Sequence, residues 1–185
     1  MIQGKTILSF IFGAATGVAV YHYGIGHGGM SAALAKELST IQFVYSAADH
    51  VEDVGLQKAT VAFNTLGSPY DRGGNYLYGY IYKGKNAGEL VFHGNGPFCV
   101  GETSTCAQDA DKLIGKNFLD KKFGSAGYLA KTNIDIAKNG GGWVPEYCWK
   151  DPVTGQKSMK KAFVLPVPNT DVFVASGYHT GKPCK

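Results

Sequence analysis

The sequence predicts an α+β domain in which a long amphipathic helix lies on a five-stranded antiparallel sheet, with an apolar helix ahead of both. Three observations carry this. The stretch from Thr6 through Ala35 contains no Asp, Glu, Lys or Arg. Between Ser31 and about Leu66 apolar residues recur at three- and four-residue steps, the period of a helix with one buried face. From Gly74 onward the pattern changes to period two, the alternation of half-buried strands.

The apolar segment TILSFIFGAATGVAVYHYGIG is long enough as a helix, at about 1.5 Å per residue, to cross a hydrocarbon layer of roughly 30 Å. Lys5 and the amino terminus precede it, which places the N-terminus in the cytoplasm and everything after His27 outside. A cleaved secretory signal, with MIQGK as n-region and TILSFIFGAATGVAV as h-region, is the rival reading. Val18, Val20 and Tyr21 crowd its cleavage site, so an uncleaved anchor is favoured. On either reading the rest of the chain is exported.

A glycine-rich joint (Gly24, Gly26, Gly28, Gly29) separates residues 1–30 from a domain over 31–185. Its long helix shows Leu34, Leu38, Ile41, Val44, Tyr45, Ala48, Val51, Val54, Ala59, Ala62, Phe63 and Leu66 along one face, and Gly67, Ser68 and Pro69 end it. In NYLYGYIYKGKNAGELVFHG, Tyr76, Tyr78, Tyr80 and Tyr82 share a strand face, which shelters a pocket or packs on the helix, and Glu89 to His93 return as the hairpin partner. A loop with Cys99 and Cys106 follows, then a short helix around Gly127 to Lys138 ended by Gly140, Gly141 and Gly142. Three strands close the chain as a meander: GGWVPEYCWKD, KKAFVLPVP and DVFVASGYH. In the first, Trp143, Tyr147 and Trp149 are expected to share a face.

Composition excludes several functions. A net charge of +4 with a single arginine, Arg72, and no basic block gives no phosphate-tracking surface, so no nucleic-acid partner is expected. With 11 tyrosines, 10 phenylalanines and 17% charged residues, the chain has the composition of a folded domain. No GxSxG, HExxH, P-loop or GxGxxG occurs, so no catalytic residues, cofactor or enzyme activity are predicted.

The cysteines, Cys99, Cys106, Cys148 and Cys184, show no metal-binding spacing and read as two disulfides in an oxidising compartment. In a meander the first and third strands run the same way, which brings Cys148 and Cys184 to one edge of the sheet. That pairs Cys148 with Cys184, and Cys99 with Cys106 across a short loop.

The succession GNYLYGYIY, ELVFHG, LIGKN, GGGWVPEYCWKDPVTGQ, KKAFV and DVFVASGYH resembles the single Cache sensor-domain family over about residues 31 to 180. The resemblance implies a long helix on a PAS-like sheet. It also implies extracytoplasmic binding of a small organic acid such as acetate, propionate or pyruvate. Matching motifs give His93 in VFHG, Tyr147 and Trp149 in EYCW and Lys160 in KKAF as ligand-binding candidates, with Tyr78 and Tyr80 beside them. A small carboxylate needs such a cation, such donors and an aromatic wall to leave water. In the family a tyrosine commonly follows the lysine by three; Phe163 stands there, one hydroxyl fewer. The plainer readings are a structural His93, a solvated Lys160 like Lys157 and Lys161, and aromatics that are simply core.

Family members are often the outer part of chemoreceptors or histidine kinases. With about five residues ahead of its apolar segment and an insertion at Cys99 to Cys106, this chain is expected to have no signalling output of its own and to need a separate signalling partner. A second function of another class remains. Ser9, Gly13 and Gly17 form a small-residue ridge at four-residue spacing, the pattern of associating helices. Residues 6–26 would then meet lipid or further copies of the chain, as in a pilin-like filament. Ser9, where a glutamate is expected, and the absence of a basic residue directly before Gly4 depart from the processing signal of such subunits.

Overall fold

A computed structural model describes residues 7–10, 21–24, 31–65, 67–70, 72, 74–94, 112–151 and 153–184. The chain divides into two units, Met1–Ala35 and Lys36–Lys185. In the first, β1 (Ile7–Phe10) and β2 (Tyr21–Gly24) pair antiparallel, Ile7 opposite Gly24 and Phe10 opposite Tyr21. These residues therefore do not form the apolar helix the sequence suggested. Periodicity cannot separate a short apolar run in a helix from one in a strand, and Ile7, Phe10, Tyr21 and Tyr23 are residue types that fit pleated pairs. Ser9 lies in β1 opposite His22, where a four-residue spacing no longer defines a helix face. Gly13 and Gly17, the rest of the expected ridge, lie outside the described residues. No helix among the described residues is long and apolar enough to cross a membrane.

The long helix is two. α1 (Ala32–Val54) and α2 (Leu56–Asn64) are separated by Gly55, whose φ of +83° takes the chain out of the helical region. The break is slight, because the Gly55 N–H still donates to the Val51 carbonyl and Ala59 to that of Gly55. Phe43, Val44, Ala47, Ala48 and Val51 of α1, with Ala59 and Phe63 of α2, bury against Leu77, Phe92, Val167, Val172 and Val174 of the sheet.

Among the described residues this unit has six antiparallel strands: β3 (Tyr78–Tyr80), β4 (Leu90–His93), β5 (Gly142–Trp143), β6 (Tyr147–Lys150), β7 (Lys157–Pro166) and β8 (Phe173–Pro183). They run β4-β3-β8-β7, with β5 and β6 in succession on the far edge of β7. The strand expected from GGWVPEYCWKD is thus split, which turns five strands into six. The reason is Pro145, which has no N–H for the ladder. The split also shifts register: Trp143 pairs with Phe163 but Tyr147 with Lys160. A one-residue slip turns a side chain to the other face, so Trp143 is not on the face of Tyr147 and Trp149. It packs against Phe163 at 5.2 Å beneath the ammonium of Lys161, which pairs with Glu37 of α1 at 2.6 Å.

On the opposite face Tyr76, Tyr78 and Tyr80 share a core with Leu90, Phe118, Ala162, Val164, Phe173 and Ala175. α3 (Gly124–Lys138), entered through a tight turn at Lys121–Phe123, covers this face with Ala130, Ile134 and Ala137. The tyrosine face thus belongs to α3 and not to the long helix. Cys148 of β6 and Cys184 just past β8 are bonded, with Cα atoms 5.3 Å apart, closing across the end of β7. Cys99 and Cys106 lie outside the described residues.

Gly79 of β3 has no room for a side chain between its neighbouring strands β4 and β8. A Cβ there would strike the Phe92 ring and stand 2.5 Å from the Phe173 carbonyl oxygen. Gly79→Ala is expected to destabilise the domain by about 1–3 kcal/mol, the usual cost of overpacking a core. Urea denaturation checks this, and an unchanged midpoint would contradict the close approach.

Candidate functional site

Pairing register brings the site together from strands far apart in sequence. His93 of β4 stands opposite Tyr78 of β3, which stands opposite Ala175 of β8, itself opposite Val164 of β7. Further along β7, Lys160 is flanked by Tyr147 of β6 on one side and His179 of β8 on the other. Since 160, 162 and 164 alternate onto one face, all of these belong to the α3 side of the sheet.

Lys160 is fully buried. Its ammonium lies 3.9 Å from the centroid of the Tyr76 ring, and Nζ has no hydrogen-bond partner among the described residues. The contact with the ring face supplies some attraction, yet it replaces only part of the hydration an ammonium loses on burial. Tyr76 also lies against His93, the rings tilted by 35° with centroids 4.7 Å apart, and its hydroxyl is hydrogen-bonded by Trp149. The Tyr78 hydroxyl donates to Asn133 Oδ1 of α3 at 3.0 Å and shares a hydrogen bond with Tyr147. Asn133 is held in turn by donating from Nδ2 to the Leu129 carbonyl at 2.6 Å. Trp149 meets Tyr147 edge-on at 6.1 Å.

Electrostatics follow from burial. Loss of water pushes the Lys160 ammonium down to about 7, with Asp151 pulling weakly the other way. Burial first, and the charge of Lys160 second, push His93 down to about 4, so its ring is neutral at pH 7. The same two causes lower His179. Burial raises the phenols of Tyr76, Tyr78, Tyr80 and Tyr147, which therefore remain protonated hydroxyls. The site thus offers one titratable cation, neutral rings and phenols, and no carboxylate within ion-pairing distance of Lys160 among the described residues.

Of the residues singled out from sequence, His93, Tyr78, Tyr147, Trp149 and Lys160 are brought into one contiguous cluster. Tyr80 sits one step further into the core, edge-on to Tyr78 at 6.2 Å and to Phe118 at 5.3 Å. The solvated reading of Lys160 is overturned: Lys157 is exposed and Lys161 points to the α1 face, whereas Lys160 between them is buried. Phe163 is not a site residue. It stacks on Tyr45 of α1 on the opposite face, so the missing hydroxyl takes nothing from the Lys160 cluster. Sequence reading passed over His179 and Asn133. Among the described residues no group of His, Cys, Asp and Glu could hold a metal ion.

No protein-family model and no curated protein matches this sequence. Solved structures do. A methyl-accepting chemotaxis protein from Vibrio parahaemolyticus superposes with a TM-score of 0.53 at 16% identity, over 80% of this chain and 90% of that one. A structure titled for carboxylic acid recognition by a Cache chemosensory domain gives 0.53 at 17% identity, over 79% of this chain and 94% of its own. The fold is that of a Cache sensor domain. At such identities the likeness speaks for the fold, and the chemistry must be read from this chain's own side chains. In this Cache fold the cluster around Lys160 is carried by β3, β4, β6, β7 and β8 beneath α3, so every strand of this sheet but β5 contributes to it.

Proposed function

We propose that the chain is an extracytoplasmic sensor domain that binds a small organic acid and hands its bound state to a separate signalling partner. The observation that carries this is Lys160: an ammonium buried completely, on an aromatic ring, with no anion beside it among the described residues. A carboxylate placed there returns to the lysine the charge-assisted hydrogen bonds that burial removed, while the hydroxyls and indole nearby fix its orientation. The solved Cache domain titled for carboxylic acid recognition supports the ligand class. The Cys148–Cys184 bond supports an oxidising compartment outside the cytoplasm.

Thermal-shift screening with acetate, propionate, pyruvate and their short homologues tests the reading. An acid at about 100 times its Kd should stabilise the protein by about 2.7 kcal/mol, which for a chain of this size raises Tm by about 5–10 °C. A flat screen counts against it. The pH dependence is a sharper signature. Binding needs Lys160 charged, and in the free protein it loses its proton as pH passes about 7. The bound carboxylate raises that value, so the acid enters together with a proton, and affinity should fall by up to about tenfold per pH unit above 7. Titrations in buffers of differing ionisation enthalpy report that proton directly, and pH-independent binding with no proton uptake would sink the role of Lys160.

A further inference from the structure

We propose that His179 is a second ligand-anchoring residue, donating from Nε2 to the same carboxylate that Lys160 neutralises, with Ser158 holding the ring in the required tautomer. The inference rests on the acid-binding reading above and adds to it a residue that motif reading did not reach.

Lys160 and His179 are direct cross-strand partners on β7 and β8. Side chains so paired share a face, with Cβ atoms about 4.5–5.5 Å apart. Both end in a buried nitrogen that lacks a hydrogen-bond partner among the described residues, Nζ of Lys160 and Nε2 of His179. Buried polar atoms are rarely left unpaired, and two on adjacent side chains point to one missing acceptor. The acceptor that satisfies two neighbouring nitrogens is a planar anion with two oxygens. The next pair along this face is Ala162 with Gly177, two residues that add almost no side-chain bulk on that side.

For His179 to donate, its proton must sit on Nε2. The other ring nitrogen, Nδ1, lies 2.7 Å from Ser158 Oγ. A serine hydroxyl can donate to a bare Nδ1, which leaves the ring proton on Nε2. The tautomer then matters more than the charge, because burial and the positive charge of Lys160 both disfavour imidazolium at this position, and Asp151 opposes them only weakly. Lys160 thus supplies the charge, and His179 supplies direction.

Isothermal titration of the full chain with acetate, propionate and pyruvate tests this on the wild type and on His179→Phe, His179→Gln, Ser158→Ala and Lys160→Met. Loss of a hydrogen bond to a charged group should weaken the acid that binds by about tenfold or more in His179→Phe. His179→Gln, whose amide N–H can stand where Nε2–H stood, should recover most of it, and Ser158→Ala should fall between. Wild-type affinity in His179→Phe, with Lys160→Met silent, overturns the role of His179 and leaves the acid-binding reading intact. A wild-type chain that binds none of the acids overturns both. Nitrogen NMR of the histidine side chains needs no variant: an Nε2-protonated His179 in the ligand-free protein supports the proposal, and an Nδ1-protonated one overturns it.

Discussion

Lys160→Met is expected to raise the melting temperature of the ligand-free protein and to abolish its response to small acids. Methionine has nearly the length of lysine and carries no charge, so it fills the space over the Tyr76 ring without the burden of an unpaired buried ammonium. The sign with pH follows from where the proton resides. In the unfolded chain a lysine is protonated below 10.5, whereas folding pushes Lys160 down to about 7. Between those values the unfolded state holds the extra proton, so wild-type stability rises with pH, by up to about 1.4 kcal/mol per unit. Below 7 the destabilisation is fully present, and above 10.5 it is gone. The advantage of Lys160→Met should therefore be largest well below pH 7 and fade through the alkaline range, at about 2–4 °C of Tm per kcal/mol. Melting curves across pH read this out. A variant that melts below the wild type throughout would show that the lysine is structural.

A residue that costs stability where it stands, and recovers the cost only with a ligand, is the pattern expected of a binding site rather than of a core. Much of that site could be read in the sequence. Tyr76, Tyr78 and Tyr80 were placed together by strict alternation, which depends only on the strand period. Lys160 was harder, because the pair KKAF offers two lysines and strand parity alone does not say which one the core receives. Phe163 was legible and misplaced: three residues from Lys160, it has the opposite parity and must face α1. Alternation puts Trp143 on the wrong face, since the slip at Pro145 is a backbone event that alternation does not record. His179 could have been found by counting outward from the turn after Pro166, because Pro166 pairs with Phe173 and the register then carries Lys160 to His179. The N-terminal segment defeated the period altogether. A run of apolar and small residues satisfies a helix and a strand equally, and its identity is set by contacts that lie outside the run.

Replacing Cys148 and Cys184 together by serine, or reducing them, is expected to cost about 3–4 kcal/mol and to lower Tm by about 10 °C. The estimate comes from the loop that the bond closes, a sequence separation of 36, whose closure entropy the unfolded chain regains when the bond is cut. The loss should not be confined to stability. The bond ties β6 to the tail of β8 across the end of β7, and β6 supplies Tyr147 and Trp149 while β8 supplies His179 on either side of Lys160. β6 is an edge strand held by one neighbour and separated from β5 by Pro145, so the disulfide is its second attachment. Cutting it should let Tyr147 and Trp149 move off Lys160 before the rest of the sheet opens. Amide exchange at Tyr147–Lys150 should then rise more than at β3 or β8, and acid affinity should fall under conditions where the protein is still folded. Uniform exchange with unchanged acid binding would mean that the bond acts only through the unfolded state, and that the ladder to β7 and the contacts of Tyr147 and Trp149 with Tyr78 and Tyr76 hold the aromatic side of the site without it.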